Sequence, residues 1–283
     1  MNIQELLFHN CLLGLLLAFF CYLMLTHRRI LLLLIGILTL VLTLQFRYSS
    51  DQQPEAWMGY IKMLALLPLG LGSIVSFGLL PEPMRRRCLF SFSVFINGAV
   101  AGNILMMSFT PSSGTYRGLC GRVTCVLLLI WLLCEMAKVR WHTVRSEGPY
   151  FIFTASPLSW VLCHAIYRFS LLSLPSFESL HYLLLEPLSL GVMYLFYRTQ
   201  GRRHPLSYSF GMADTLVVTV FALGSRLSEL MGHKIPRLSQ DISSLHAYDL
   251  SFVALHCLVA LVALRAIGIH WRSSSPHPAP SSE

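Results

Sequence analysis

The chain is short of charge. Asp, Glu, Lys and Arg make up 12% of its 283 residues, where a soluble domain carries about a quarter. That shortage excludes an ordinary water-soluble enzyme. No C-x-x-C pair occurs among the 8 cysteines, so they offer no metal knuckle or redox motif and read as small residues within apolar runs. The first apolar run has no basic leader and no A-x-A cleavage site; it opens with Glu5, is followed by His27-Arg28-Arg29, and reads as a retained anchor. No Ser/Gly linker, tandem repeat or soluble domain interrupts the later runs.

What is there is hydrocarbon. Hydrophobic residues account for 55% of the chain and mean hydropathy is +0.62. Apolar runs of ~17 residues or more, the length that crosses a bilayer, give nine expected spans: 6–26, 30–46, 61–80, 88–109, 119–138, 150–174, 181–198, 206–230 and 249–270. The fold class is therefore all-α, a polytopic transmembrane helical bundle in one domain over 1–272. The tail 273–283 (SSSPHPAPSSE) reads as disordered and cytoplasmic.

The net charge of +8 needs no nucleic acid to explain it. Basic residues concentrate after alternate spans: Arg28-Arg29, Arg85-Arg86-Arg87, Lys138/Arg140/Arg145, Arg198/Arg202/Arg203, then Arg265 and Arg272. The opposite side holds fewer: Arg47, Lys62, Arg117, Arg122, Lys234 and Arg237. This bias places the N-terminus outside and the C-terminus in the cytoplasm. Trp141 and Trp271 fall at expected inner interfaces and Trp57 in an outer loop.

Ionisable groups inside spans are costly, so each is a site candidate. His164 and Arg168 lie on one face of span six (i, i+4), Glu186 in span seven, and Arg226 with Glu229 (i, i+3) close span eight. Asn97 and Asn103 come from span four, and Arg117 opens span five. Most of these are expected near the outer leaflet, with Glu135 and Asp214 deeper. Each also has a structural reading: Arg226 and Glu229 as an intrahelical pair, Asn97, Asn103 and Glu186 as interhelical glue, His164 bonded to a carbonyl. Arg168 cannot shed its proton and needs an anion, either Glu186 or a ligand phosphate. His9, His233, His246 and His256 have no metal-site spacing, so neither metal nor cofactor is expected.

The order of these motifs resembles the prolipoprotein diacylglyceryl transferase family of bacterial inner membranes. Its members have seven spans, and a His-Gly-Gly-Leu-x-Gly motif opens an inward helix; Tyr116-Arg117-Gly118-Leu119-Cys120-Gly121 opens span five here. The family's Gly-Arg-x-Gly-Asn corresponds to Tyr167-Arg168-Phe169-Ser170, and its Leu-Tyr-Glu to the stretch from Leu180 through His181 to Glu186. The terminal Arg and Glu of a later helix correspond to Arg226 and Glu229, and Val94 to Gly102 is similar to its Gly-Gly-Arg-x-Gly helix. The resemblance implies transfer of diacylglycerol from phosphatidylglycerol, or another anionic phospholipid, to a lipobox cysteine thiol. It implies substrate binding by Arg168, Arg226, Glu229, Asn97, Asn103 and Arg117, with His164, His181 or Glu186 as catalytic base. The motif histidine is Arg117 here, which cannot serve as a base, and two extra spans follow the first. A catalytically inactive lipid-binding relative, a noncatalytic scaffold subunit and a small-anion transporter using Asp214 or Glu135 as a proton site are the alternatives.

Overall fold

The computed structural model describes residues 3–48, 64, 66–109, 116–147, 150–173, 185–199 and 246–274. Helix α1 (Ile3–Thr26) passes through the single non-helical residue His27 into α2 (Arg28–Tyr48). A π-helical turn over Leu66–Leu71 leads into α3 (Gly72–Leu79). Next along the chain come α4 (Glu82–Ser108), α5 (Tyr116–Lys138), a hairpin of β1 (Val144–Glu147) and β2 (Tyr150–Phe153), α6 (Leu158–Leu172), α7 (Leu185–Thr199) and α8 (His246–Ser274).

Three helices, Glu82–Ser108, Tyr116–Lys138 and Asp249–Ser273, are long and apolar enough to cross a membrane, with mean hydropathies of 1.7, 2.0 and 2.3. They mark an integral membrane protein. Along α8 the buried residues His256, Val259, Ala263 and Ile267 form one stripe, while Leu255, Leu258, Leu261 and Leu264 stay exposed. An apolar exterior of that kind is at home in lipid and not in water.

Side-chain contacts fix the relative directions. Cys125 meets the Ile104 carbonyl while Ser93 reaches Trp141 just past α5, and Trp160 Nε1 donates to the Leu128 carbonyl at 2.9 Å while Arg117 reaches Ser170, so α4 and α6 both run antiparallel to α5. Arg117 meets Asp249 and, further along both helices, Thr124 lies against His256, so α8 runs parallel to α5. Phe77 of α3 stacks on Phe92 of α4 with centroids 4.0 Å apart, and Leu188 of α7 touches Gly14 of α1.

Three expected boundaries move, each for a proline. The run expected as one span from 150 to 174 divides: Pro157 stands in extended conformation (ψ 155) ahead of Leu158, because a proline and the residue before it resist a helix interior. The aromatic and β-branched Tyr150–Phe153 pair instead with Val144–Glu147, in the register Val144↔Phe153. The helix left over, 15 residues long, covers only ~22 Å at ~1.5 Å per residue. Arg85, Arg86 and Arg87, expected in a loop, belong to the first turns of α4: Leu80 and Pro81 form the whole connection, and proline is admitted in the first turn. Pro68 sits inside the π-helical turn, so the expected 61–80 span is not one regular helix.

The hairpin is held to α4 by a polar knot. At the end of α5, Arg140 and Trp141 take positive φ of 49 and 66, a region costly for residues with a Cβ. The Trp141 carbonyl accepts from Ser93 Oγ at 2.9 Å and from Asn97 Nδ2 at 3.0 Å. Ser93 Oγ in turn accepts from the Thr143 and Val144 amides at 2.8 and 3.1 Å, and Thr143 Oγ1 donates to Asn97 Oδ1. The bonds offset the strained turn.

Candidate functional site

At the opposite end of α4, α5 and α6, the start of α5 meets the end of α6 and the start of α8. Arg117 stands at their junction, 1% exposed. Its Nη2 donates to the Ser170 carbonyl and to Ser173 Oγ, and its Nε to Ser170 Oγ at 3.3 Å. Nη1 faces Asp249 Oδ1 at 3.4 Å, and the guanidinium lies 3.8 Å from the centroid of the Phe252 ring.

The placement follows helix-end physics. The last carbonyls of α6 have no intrahelical partner, and a cation there also answers the negative end of the helix dipole. Asp249 occupies the first turn of α8, where the dipole favours an anion. One guanidinium thereby ties three helices, and its burial is supported by a carboxylate and several acceptors.

The network continues inward. Ser170 Oγ lies 2.8 Å from His256 Nε2, while His256 Nδ1 is buried without a hydrogen-bond partner among the described residues. Gly121 faces the imidazole from α5, where a Cβ would sit in ordinary contact, 3.6 Å from its ring atoms. Thr124 Oγ1 donates to the Cys120 carbonyl at 2.8 Å, and Tyr167 packs edge-on to His256 at 6.1 Å. The arrangement runs Asp249, Arg117, Ser170, His256. It can hold three helix ends in register, and it places a hydroxyl against a histidine able to exchange a proton with it.

The expected site residues divide. Arg117 and Arg168 are brought to one end of the bundle, since Arg168 is buried on α6 two residues before Ser170. His164 is fully buried one turn earlier, stacked on Trp160 at 5.0 Å. Asn97, expected with the outer cluster, is instead part of the Trp141 knot at the other end. Its amide gives the Trp141 carbonyl a second donor beside Ser93 Oγ. Asn103 lies half-buried on α4. Glu186 is in α7, but its side chain lies outside the described residues, as do His181, Arg226, Glu229 and Asp214 in full. Glu135 is engaged by Trp131 Nε1 at 3.1 Å and Lys138 Nζ at 2.7 Å.

Ser170, Ser173, Asp249, Phe252 and His256 were not foreseen as a site. Asp249, Phe252 and His256 are spaced i, i+3, i+7 and share one face of α8, a signal present in the sequence but silent about α5. Among the described residues no group of three or more His, Cys, Asp or Glu could hold a metal ion. No protein-family model, curated protein or solved structure matches the chain.

Proposed function

We propose that this protein handles anionic phospholipid within the membrane and that its reaction is the one implied by the resemblance. The diacylglyceryl group of phosphatidylglycerol is passed to the cysteine thiol of a lipobox peptide. One observation carries the reading. The segments Arg117 to Gly121 and Arg168 to Ser170, which bear the resemblance, lie against each other through the Arg117–Ser170 contacts, although those two residues are 53 positions apart.

In this reading the Arg117 end faces the periplasm of a bacterial inner membrane, and the end with Arg28, Arg29 and Arg85 to Arg87 faces the cytoplasm, following the inside bias of basic residues. Arg168, with Arg226 and Glu229 from the eighth expected span, holds the donor phosphate. Arg117, already engaged by Asp249 and the two serines, positions the end of α6. The thiolate sulfur bonds to the glyceryl carbon, that carbon's bond to the phosphate oxygen breaks, and glycerol phosphate departs with its charge stabilised by the arginines. The thiol proton goes to a base: His164, His181 and Glu186 are candidates, and His256 joins them through its place beside Ser170.

The test supplies phosphatidylglycerol labelled in its acyl chains, with a lipobox peptide, to the purified protein. The expected result is label on the peptide thiol and release of glycerol phosphate, both lost in Arg168→Gln. Bound lipid without transfer would reduce the protein to a lipid-binding relative. Neither binding nor transfer would overturn the proposal.

A further inference from the structure

The turn that follows α5 is built from residues ill suited to it. The Arg140 amide donates to the Ala137 carbonyl and the Trp141 amide to the Met136 carbonyl, both at 2.9 Å. This pair of bonds closes a helix with one residue in left-handed conformation, a position that glycine usually fills. Here Arg140 fills it at φ 49, and Trp141 follows at φ 66. The His142 amide donates to the Val139 carbonyl at 2.9 Å, so the two left-handed residues form the centre of a turn that favours Asn-Gly or Gly-Gly. Glycine at either position would relieve a clash between Cβ and the backbone.

The fold enforces this costly form. The Trp141 carbonyl is held by Ser93 and Asn97, and the next residues, Thr143 and Val144, are buried with their amides on Ser93. With the main chain pinned inward, the side chains are left outside: Arg140 is exposed and Trp141 is 45% exposed. Arg145, at the start of the hairpin, is exposed too. Backbone strain persists where the surrounding structure over-determines it, and it gathers at surfaces with a role.

What the turn presents suits a headgroup layer. It directly follows α5, which is long and apolar enough to cross a membrane, so the indole lies at the depth where amphipathic rings settle. The carboxylates in ion pairs at this end are Glu135, with Lys138, and Glu82, with Arg86; Arg140 and Arg145 belong to neither pair. Two exposed cations and an exposed indole in one short stretch complement negative phosphates lying over hydrocarbon.

We propose that the Arg140–Trp141 turn is an interfacial clamp on the anionic headgroups of the leaflet at that end. The indole sits among the glycerol and ester groups, and Arg140 and Arg145 take lipid phosphates. The clamp does not depend on the transfer reaction, and its contacts with lipid offset the strain of a cap without glycine.

The full chain is reconstituted in vesicles of phosphatidylcholine and phosphatidylglycerol, with bromine near the ester end of the acyl chains of one lipid at a time. Quenching of Trp141 fluorescence is isolated by difference from Trp141→Phe. Brominated phosphatidylglycerol is expected to quench more than brominated phosphatidylcholine at the same fraction. Its apparent affinity should fall roughly fivefold in Arg140→Gly and again in Arg145→Gln, the size expected for one cation at a charged surface. Arg122→Gln, an exposed cation near the other end of α5, should leave it unchanged. In uncharged detergent Arg140→Gly should be at least as stable as the unaltered chain, because it relieves the left-handed strain. Equal quenching by the two lipids would overturn the proposal and leave the surface to a partner other than lipid. A lower denaturation midpoint in Arg140→Gly, or as large a loss of affinity in Arg122→Gln, would overturn it as well.

Discussion

The two ends of the bundle use arginine in opposite ways. At one, a single guanidinium is 1% exposed and surrounded by a carboxylate, a carbonyl, two hydroxyls and a phenyl ring. At the other, Arg28, Arg29 and Arg85 to Arg87 gather, and among the described residues Glu82 is paired with Arg86. The first end is electrostatically closed by the protein's own groups. At the second, the described ion pair, Arg86 with Glu82, lies exposed to solvent, and Arg29 and Arg87 are exposed beside it. Burial alone does not make an arginine a ligand site; what decides is whether the fold already supplies the anion.

That contrast can be broken by substitution. Arg117→Leu carries the largest expected effect, a loss of about 3–5 kcal/mol, because Asp249 loses its ion pair, the Ser170 carbonyl keeps only the Ser173 hydroxyl as donor, and three helix ends come apart. Denaturation in detergent micelles measures it, and an unchanged midpoint would refute the closed description of that end. Ser93→Ala should cost about 1–3 kcal/mol, since the Thr143 and Val144 amides lose their shared acceptor and the strained Arg140–Trp141 turn loses a restraint. Asp249→Asn should cost less, about 1–2 kcal/mol, because the carboxylate is 31% exposed and 3.4 Å from Arg117. Arg86→Ala should stay within about 0.5 kcal/mol, as its pair with Glu82 is solvent-screened. Salt sharpens the comparison further: raising ionic strength to about 1 M shortens the screening length to ~3 Å, which should weaken the exposed Arg86–Glu82 pair and leave the Arg117 junction unmoved.

Much of the architecture was legible in the chain. Long apolar runs with few charges can only be helices in lipid, and the runs at 88–109, 119–138 and 249–270 lie within α4, α5 and α8 to within a residue at their ends. The misread boundaries share one cause. Hydropathy is blind to backbone geometry, so Tyr150–Phe153 and α6 formed one apolar stretch until Pro157 divided them. The site was harder to read. Arg117 stood out as the cation that opens the fifth expected span where the resembled motif has histidine, but its carboxylate lies 132 positions away on α8, and nothing in either segment names the other. Asn97 was misplaced for a different reason: its partner is the Trp141 carbonyl, a main-chain group that every residue carries. His256 looked like an isolated core histidine because Ser170, its hydrogen-bond partner, comes from another helix.

A density map of the protein in nanodiscs containing phosphatidylglycerol tests the central functional claim most directly. Headgroup phosphate is expected within hydrogen-bonding distance of Arg168, at the end where Arg117 joins α5, α6 and α8. A map in which Arg168 is enclosed by protein on every side, with lipid phosphate confined to the opposite end, would contradict that claim.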